Sequence, residues 1–174
     1  FERVFKRFPV LLAVVACAGL LGGLYSKFFV VPVYRANAEL IVNAAERTTQ
    51  SITSEQLNTA ETLVEIYGII IKSDAVLEKA ARRINAGLDY DSLAEKVSVG
   101  AVNGTAVMRV SVTDTDPQLA MKILEEILRI APDVIQDKVE AGSVKVISEP
   151  RLESKPISPK IMQNALLSAI LGMV

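Results

Sequence analysis

Five residues in the middle of the chain, Lys72, Asp74, Arg82, Arg109 and Asp114, carry the side chains that hydrolysis of a phosphodiester would need. Cations hold phosphate oxygens and stabilise the charge that builds on them, while a carboxylate directs the attacking water. Whether the five converge is not written in their order. Composition excludes much other chemistry. There is no histidine, and the one cysteine, Cys17, lies in an apolar run. Histidine general bases, Ser–His and Cys–His nucleophile pairs and the usual zinc constellations are therefore ruled out. These residues hold no G-x-x-x-x-G-K-[ST] loop and no tyrosine-rich tail, so no kinase motif. No metal site and no cofactor is expected.

The elements that must position these residues fall into two environments. Of 174 residues, 51% are hydrophobic, which is high for a soluble chain, and the excess sits at the two ends. The stretch "FPVLLAVVACAGLLGGLY" has no charge and, with "SKFFVVPVY" behind it, reaches the ~20 residues a bilayer span requires. Residues 8–31 are read as a first transmembrane helix, and a cleavable signal peptide is disfavoured because no small-x-small site follows. Gly19, Gly22 and Gly23 either admit a neighbouring helix or fill a lipid-facing surface. Arg3, Lys6 and Arg7 place segment 1–7 in the cytoplasm by the positive-inside rule. Residues 161–174 are apolar but shorter than a span. They are read as the start of a second transmembrane helix, and the chain as a piece of a longer one, which puts the central domain outside the membrane. Between positions 33 and 160 there are 15 lysines and arginines against 19 acidic residues, so no broad basic face is available for nucleic acid.

Residues 32–149 read as an α+β domain. "YRANAELIVNA" alternates Ala36, Ala38, Leu40 and Val42 on one face, the pattern of a half-buried strand. A capping box at Thr53–Gln56 opens a helix with Leu57, Ala60, Leu63, Val64, Tyr67, Ile70 and Ile71 along one stripe. Ser73 or Asp74 caps a second helix carrying Val76, Leu77, Ala80, Ala81 and Ile84, with Gly87 as its left-handed terminator. After a short helix, two strands meet at Asn103–Gly104, with Ala106, Met108, Val110 and Val112 facing the core. Asp116–Pro117 starts a long helix through Ala120, Ile123, Leu124, Ile127 and Leu128 that Pro132 should kink or end. "SVKVISEP" is the last strand. The order is β-α-α-β-β-α-β, an antiparallel sheet with packed helices. Residues 150–160, with Pro150, Pro156 and Pro159, form a semi-rigid strut that carries the domain's orientation to the second span.

The chain resembles the polysaccharide co-polymerases, or Wzz-type chain-length determinants, of bacterial surface-polysaccharide export. The matching residues are Tyr34-Arg35-Ala36 with Ala38, Lys72-Ser73 with Val76-Leu77, "DTDP" at Asp114–Pro117 and, most specifically, "EPRLESKPISPK" ahead of the second span, with Pro150, Pro156, Ser158, Pro159 and Lys160. A long helical arm would not fit between Thr53 and Leu93, so the resemblance is to the Gram-positive capsule tyrosine-kinase adaptors of CpsC/CapA type. It implies a non-catalytic, two-pass protein of the bacterial plasma membrane. Such proteins form a homo-oligomeric ring, commonly an octamer, that works with the polymerase on a lipid-linked polysaccharide and sets its length. It also implies an adaptor that activates a cytoplasmic tyrosine autokinase, as a separate chain or fused after residue 174.

Two other readings stay open. The five residues of the first paragraph could cleave the polymer's lipid-diphosphate link as a phosphodiesterase, or the chain could be a membrane-anchored sensor or transport adaptor. A closed ring needs two different complementary patches. Arg82 and Arg83 facing Glu55, Glu61 and Glu65 of a neighbouring subunit are the candidates. In the scaffold reading Lys72 offsets the dipole at the end of its helix, and Arg109 occupies the exposed face of its strand.

Overall fold

A computed structural model describes residues 2–43, 54–139 and 143–171. The side chains of 1–14, 16, 43, 54–61 and 161 lie outside this description, as do residues 44–53, including Thr53 of the expected capping box. The chain divides into two compact units, residues 1–33 with 155–174 and residues 34–154.

In the first unit, helix α1 (Glu2–Phe29) packs along helix α6 (Ile161–Leu171). Small residues make the approach close. A Cβ on Gly19 would lie 3.4 Å from the Ala165 carbonyl oxygen, and one on Gly22 would overlap the side chain of Ser168. Ser26 is buried, and the Asn164 amide donates to its hydroxyl at 2.7 Å, so the polar pair is satisfied within the interface. Leu20, Leu21, Leu24, Phe28 and Phe29 stay exposed on α1, as do Leu166, Leu167 and Ile170 on α6. No helix among the described residues is long and apolar enough to cross a membrane. The linkers are tied together: Val33 N–H donates to the Ser158 carbonyl (3.1 Å), and Ile157 N–H to the Val33 carbonyl (2.8 Å). The Ser158–Pro159 bond is cis.

The second unit is α+β. Strands β1 (Tyr34–Asn43), β2 (Val97–Ala101), β3 (Val107–Asp114) and β4 (Ser143–Val146) form an antiparallel sheet in the order β2-β3-β1-β4, and the short β5 (Arg151–Leu152) also pairs with β1. The expected alternation holds: Ala36, Ala38, Leu40 and Val42 of β1 and Met108, Val110 and Val112 of β3 are buried together. Ala106, expected in that row, precedes β3 and is only half-buried. Against this face pack helices α2 (Ser54–Ile71), α4 (Tyr90–Lys96) and α5 (Pro117–Lys138), while α3 (Asp74–Ile84) packs on α5, α4 and α2. They contribute Val64, Tyr67 and Ile71, then Val76, Leu77 and Ala80, then Leu93, then Ile123, Leu124 and Ile127.

Three local expectations change. The last strand is not continuous. After β4, the Ile147 and Ser148 N–H groups both turn to the Glu39 carbonyl (2.9 and 3.3 Å), and the Ser148 hydroxyl accepts from Glu39 N–H (2.7 Å). One residue of β1 thus holds the first two residues of a four-residue interruption, and pairing resumes at β5. The left-handed terminator of α3 is Asn85, at φ 52°, whose N–H returns to the Ala81 carbonyl. Gly87, at φ 68°, belongs to the turn beyond. Asparagine tolerates this region because its short polar side chain bonds locally. Pro132 does not end α5, which continues to Lys138. Val134 and Ile135 keep the apolar stripe buried past the proline, and that packing outweighs the lost backbone hydrogen bond.

Pro132→Ala returns a donor to the interior of α5, and helix propensity favours it by up to about 3 kcal/mol. We expect urea unfolding of the full chain, followed by circular dichroism, to show a higher midpoint. A lower one would mean that contacts of the proline ring outweigh its backbone cost.

Candidate functional site

Side-chain parity already separates two of the five candidate residues. Successive residues of a strand point to opposite faces. On β3, Met108, Val110, Val112 and Asp114 share the helix-covered face, and Arg109 points to the other. Arg109 is opposite Glu39 in the β1–β3 register, and its guanidinium donates to Glu39 Oε1 through Nη2 (2.7 Å) and Nε (3.2 Å).

Asp114 is a corner post. Its side chain is 4% exposed and pairs through Oδ2 with Lys96 Nζ at 2.7 Å. Oδ1 accepts the Asp116 N–H at 2.9 Å, and the Thr115 hydroxyl lies 3.4 Å away. Burial by itself would raise the carboxyl pKa. The Asp116 N–H, the hydrogen bond and charge of Lys96 and the Thr115 hydroxyl outweigh it and hold the group below the usual carboxylate range. Asp116 then caps α5, accepting from Gln118 N–H at 2.9 Å, with Pro117 in the first turn, where a missing N–H costs nothing. The "DTDP" motif therefore turns β3 into α5 through two consecutive carboxylate–amide contacts.

Lys72 and Asp74 flank the α2–α3 junction. Lys72 is exposed just past the end of α2, where its charge meets the negative end of the helix dipole, and its carbonyl accepts from the Tyr90 hydroxyl at 3.2 Å. Asp74 opens α3 and accepts from Ala75 N–H. The Ser73 hydroxyl bonds back to the Ile70 carbonyl and does not cap. Arg82 lies in the last turn of α3, roughly 12 Å along the axis from Asp74, and pairs with Glu78 at 2.9 Å. The side chains of the five thus engage local partners or solvent at different places.

The structure does bring other groups together. Glu65 and Lys72 line one groove of about 620 Å³, whose walls include Gly68, Ile69, Tyr90 and Val99 between α2, α4 and β2. A second groove of about 300 Å³ opens on the helix-free face of the sheet, lined by Asn37, Glu39, Arg109, Ser148 and Arg151. Arg83 lies 3.8 Å from Glu126 within the same chain. Glu65 is exposed, while the side chains of Glu55 and Glu61 fall outside the described residues. Of the proline motif, Pro150 is half-buried beside β5, Pro156 is exposed, Ser158 and Pro159 are half-buried, and the Lys160 carbonyl accepts the Asn164 N–H of α6. Among the described residues no group of three or more Cys, Asp or Glu side chains gathers to hold a metal ion.

Sequence reasoning missed Glu39, Lys96, Asn37 and Glu153. Asn37 Nδ2 donates to Glu153 Oε1 at 2.9 Å, and Arg35 lies 3.8 Å from the same oxygen. Outward parity in β1 marks Arg35, Asn37 and Glu39 as a polar row. Only the register, set by residues far along the chain, supplies their partners.

The sequence pattern described as Wzz, chain length determinant protein, matches residues 1–84 of the chain. Among curated proteins, the probable capsular polysaccharide biosynthesis protein YwqC of Bacillus subtilis (strain 168) is 25% identical over 97% of this chain and 68% of its own. The capsular polysaccharide biosynthesis proteins CpsC of Streptococcus agalactiae and Streptococcus pneumoniae are 29% and 27% identical, over 98% and 100% of this chain and 74% and 76% of theirs. The resemblance read from the sequence is borne out by these matches. Among solved structures, the intact alpha subunit of aIF2 from Pyrococcus abyssi superposes with a TM-score of 0.37 at 19% identity, over 71% of this chain and 36% of that one, too low to bear on function.

The Asp114 corner predicts a pH signature. Its folded pKa is lowered from the unfolded value of about 3.9, so its stabilisation is complete above that pH and is lost as pH falls through the folded value. Asp114→Asn should be less stable than wild type by about 1–3 kcal/mol at pH 7. The gap, read from urea unfolding, should narrow below pH 4. A gap independent of pH would assign the loss to shape and not to charge.

Proposed function

We propose that this chain is a membrane-anchored, non-catalytic polysaccharide co-polymerase that regulates the length and export of a capsular or exopolysaccharide. The observation that carries this reading is the near full-length match to capsular polysaccharide biosynthesis proteins, together with the chain-length-determinant pattern over residues 1–84. In this reading α1 and the start of α6 are two spans of a bacterial plasma membrane, and the α+β domain is extracytoplasmic. Their exposed leucines and phenylalanines suit lipid, and the Ser26–Asn164 pair keeps polar groups out of it. The protein forms a closed homo-oligomer and acts as adaptor and activator of a cytoplasmic tyrosine autokinase, as the capsule branch of the resemblance implies. Residues 150–160 serve as the link between domain and span.

Scaffolding is favoured over phosphodiesterase chemistry by the placement of the candidate residues. Asp114 is engaged with Lys96 on one face of β3, and Arg109 with Glu39 on the other, so this carboxylate and this cation do not share a phosphate. Purified full chain in detergent is expected to release no sugar from a polyprenyl-diphosphate-linked oligosaccharide. Turnover that falls by orders of magnitude in Lys72→Ala and Arg109→Ala proteins with intact assembly would establish the hydrolase instead.

The ring reading has its own test. Arg82 and Arg83 are exposed, and their partners within the chain, Glu78 and Glu126, hold them only as surface pairs of about 0–1 kcal/mol. They remain available to the acidic side of α2 in a neighbouring subunit. Reversing both to glutamate should loosen the oligomer by mass measurement in mild detergent and broaden the polymer length distribution on gels. Unchanged mass and length would remove this helix face from the interface.

A further inference from the structure

The helix-free face of the sheet is polar, and its charges do not cancel. Along β1 it presents Arg35, Asn37 and Glu39, and the register places Arg109, Arg151 and Lys145 beside them. Glu39 engages Arg109, and Glu153 lies beside Arg35 and Asn37. Arg151 and Lys145 are exposed, and neither has an ion-pair partner among the described residues. A cationic surplus of two therefore stands on a domain in which acidic residues outnumber basic ones, 19 to 15 between positions 33 and 160.

The groove at the centre of this face has the donors and acceptors of a saccharide site. Both hydrogen bonds from Arg109 go to Glu39 Oε1, which leaves Oε2 as an acceptor at the rim. Asn37 Oδ1 is buried with no hydrogen-bond partner among the described residues, although its Nδ2 is held by Glu153. A buried acceptor without a donor costs stability and is unusual in folded chains. Carboxylate, amide and guanidinium groups fixed in one plane by a sheet pair with vicinal hydroxyls, which both donate and accept. The guanidinium of Arg151, which pairs directly across from Asn37 in the β1–β5 register, offers a planar fork matched to a carboxylate.

We propose that this face, centred on Asn37, Arg109 and Arg151, binds an acidic saccharide chain, with hydroxyls on the Asn37–Glu39–Arg109 row and a sugar carboxylate on Arg151. The inference rests on the polysaccharide reading above and deepens it by assigning the polymer a surface and a charge. It requires no bond to form or break.

The test is calorimetric titration of the full chain in detergent micelles with hexagalacturonate, maltohexaose and inorganic diphosphate. Hexagalacturonate should bind, maltohexaose more weakly and diphosphate more weakly still, with the acidic preference shrinking as salt rises. Arg151→Gln should weaken hexagalacturonate about fivefold or more and leave maltohexaose unchanged, since the lost pair is charge-assisted and only the acidic sugar makes it. Arg109→Ala should weaken both sugars, with the thermal midpoint read alongside to show that the domain remains folded. No binding of either sugar, equal loss of both in Arg151→Gln, or diphosphate binding as tight as hexagalacturonate would overturn the proposal. Polymer length measured in cells lacking the protein separates the two readings. If length control is lost with the protein while titrations stay flat, only this assignment falls.

Discussion

Strand β1 leaves almost none of its backbone unpaired. One edge runs against β3 from Tyr34 to Ile41, and the other meets β4, then the interruption that opens with Ile147 and Ser148, then β5. A strand buried on one face and bonded along both edges must satisfy its N–H and C=O groups within the protein, because water cannot reach them cheaply. The sheet core and the polar groove both follow from this one constraint. The inward Ala36 and Ala38 are small enough for α5 to lie close, and the outward Arg35, Asn37 and Glu39 are held at fixed spacing.

Much of this was legible from pattern. Alternation in β1 and β3 sorted core from surface because one face of the sheet is covered and the other is not. Asn103–Gly104 marked its hairpin because both residues take positive φ, 51° and 66° in the structure. Asp116–Pro117 marked the start of α5 for equally local reasons. What failed involved competition between local preference and packing. Pro132 was read as kinking or ending α5, and the apolar stripe on both sides of it carries the helix on to Lys138. Gly87 looked like the terminator of α3, yet Asn85 reached the left-handed region first.

The candidate site was less legible, for a different reason. Residue type suggested chemistry for Arg109 and Asp114, although an odd separation along one strand already puts them on opposite faces. Their partners, Glu39 and Lys96, could not be named in advance. Glu39 is 70 positions from Arg109, and only the β1–β3 register aligns them. Ion pairs of this kind depend on non-local geometry to within a side chain's length, which hydropathy does not encode.

The sheet's outer strands, β2 on one side and β4 followed by β5 on the other, are short. β2 has five residues, including Gly100, and β4 has four, including the exposed Lys145. An edge of this length offers few consecutive backbone groups to a neighbouring chain, and a charged residue on it further discourages strand addition. Sheet growth from one molecule into the next is thereby disfavoured, and a contact between copies would have to be made by side chains. Contacts made by side chains can be retuned one substitution at a time. A subunit geometry built that way can drift between related proteins while the fold beneath it stays the same.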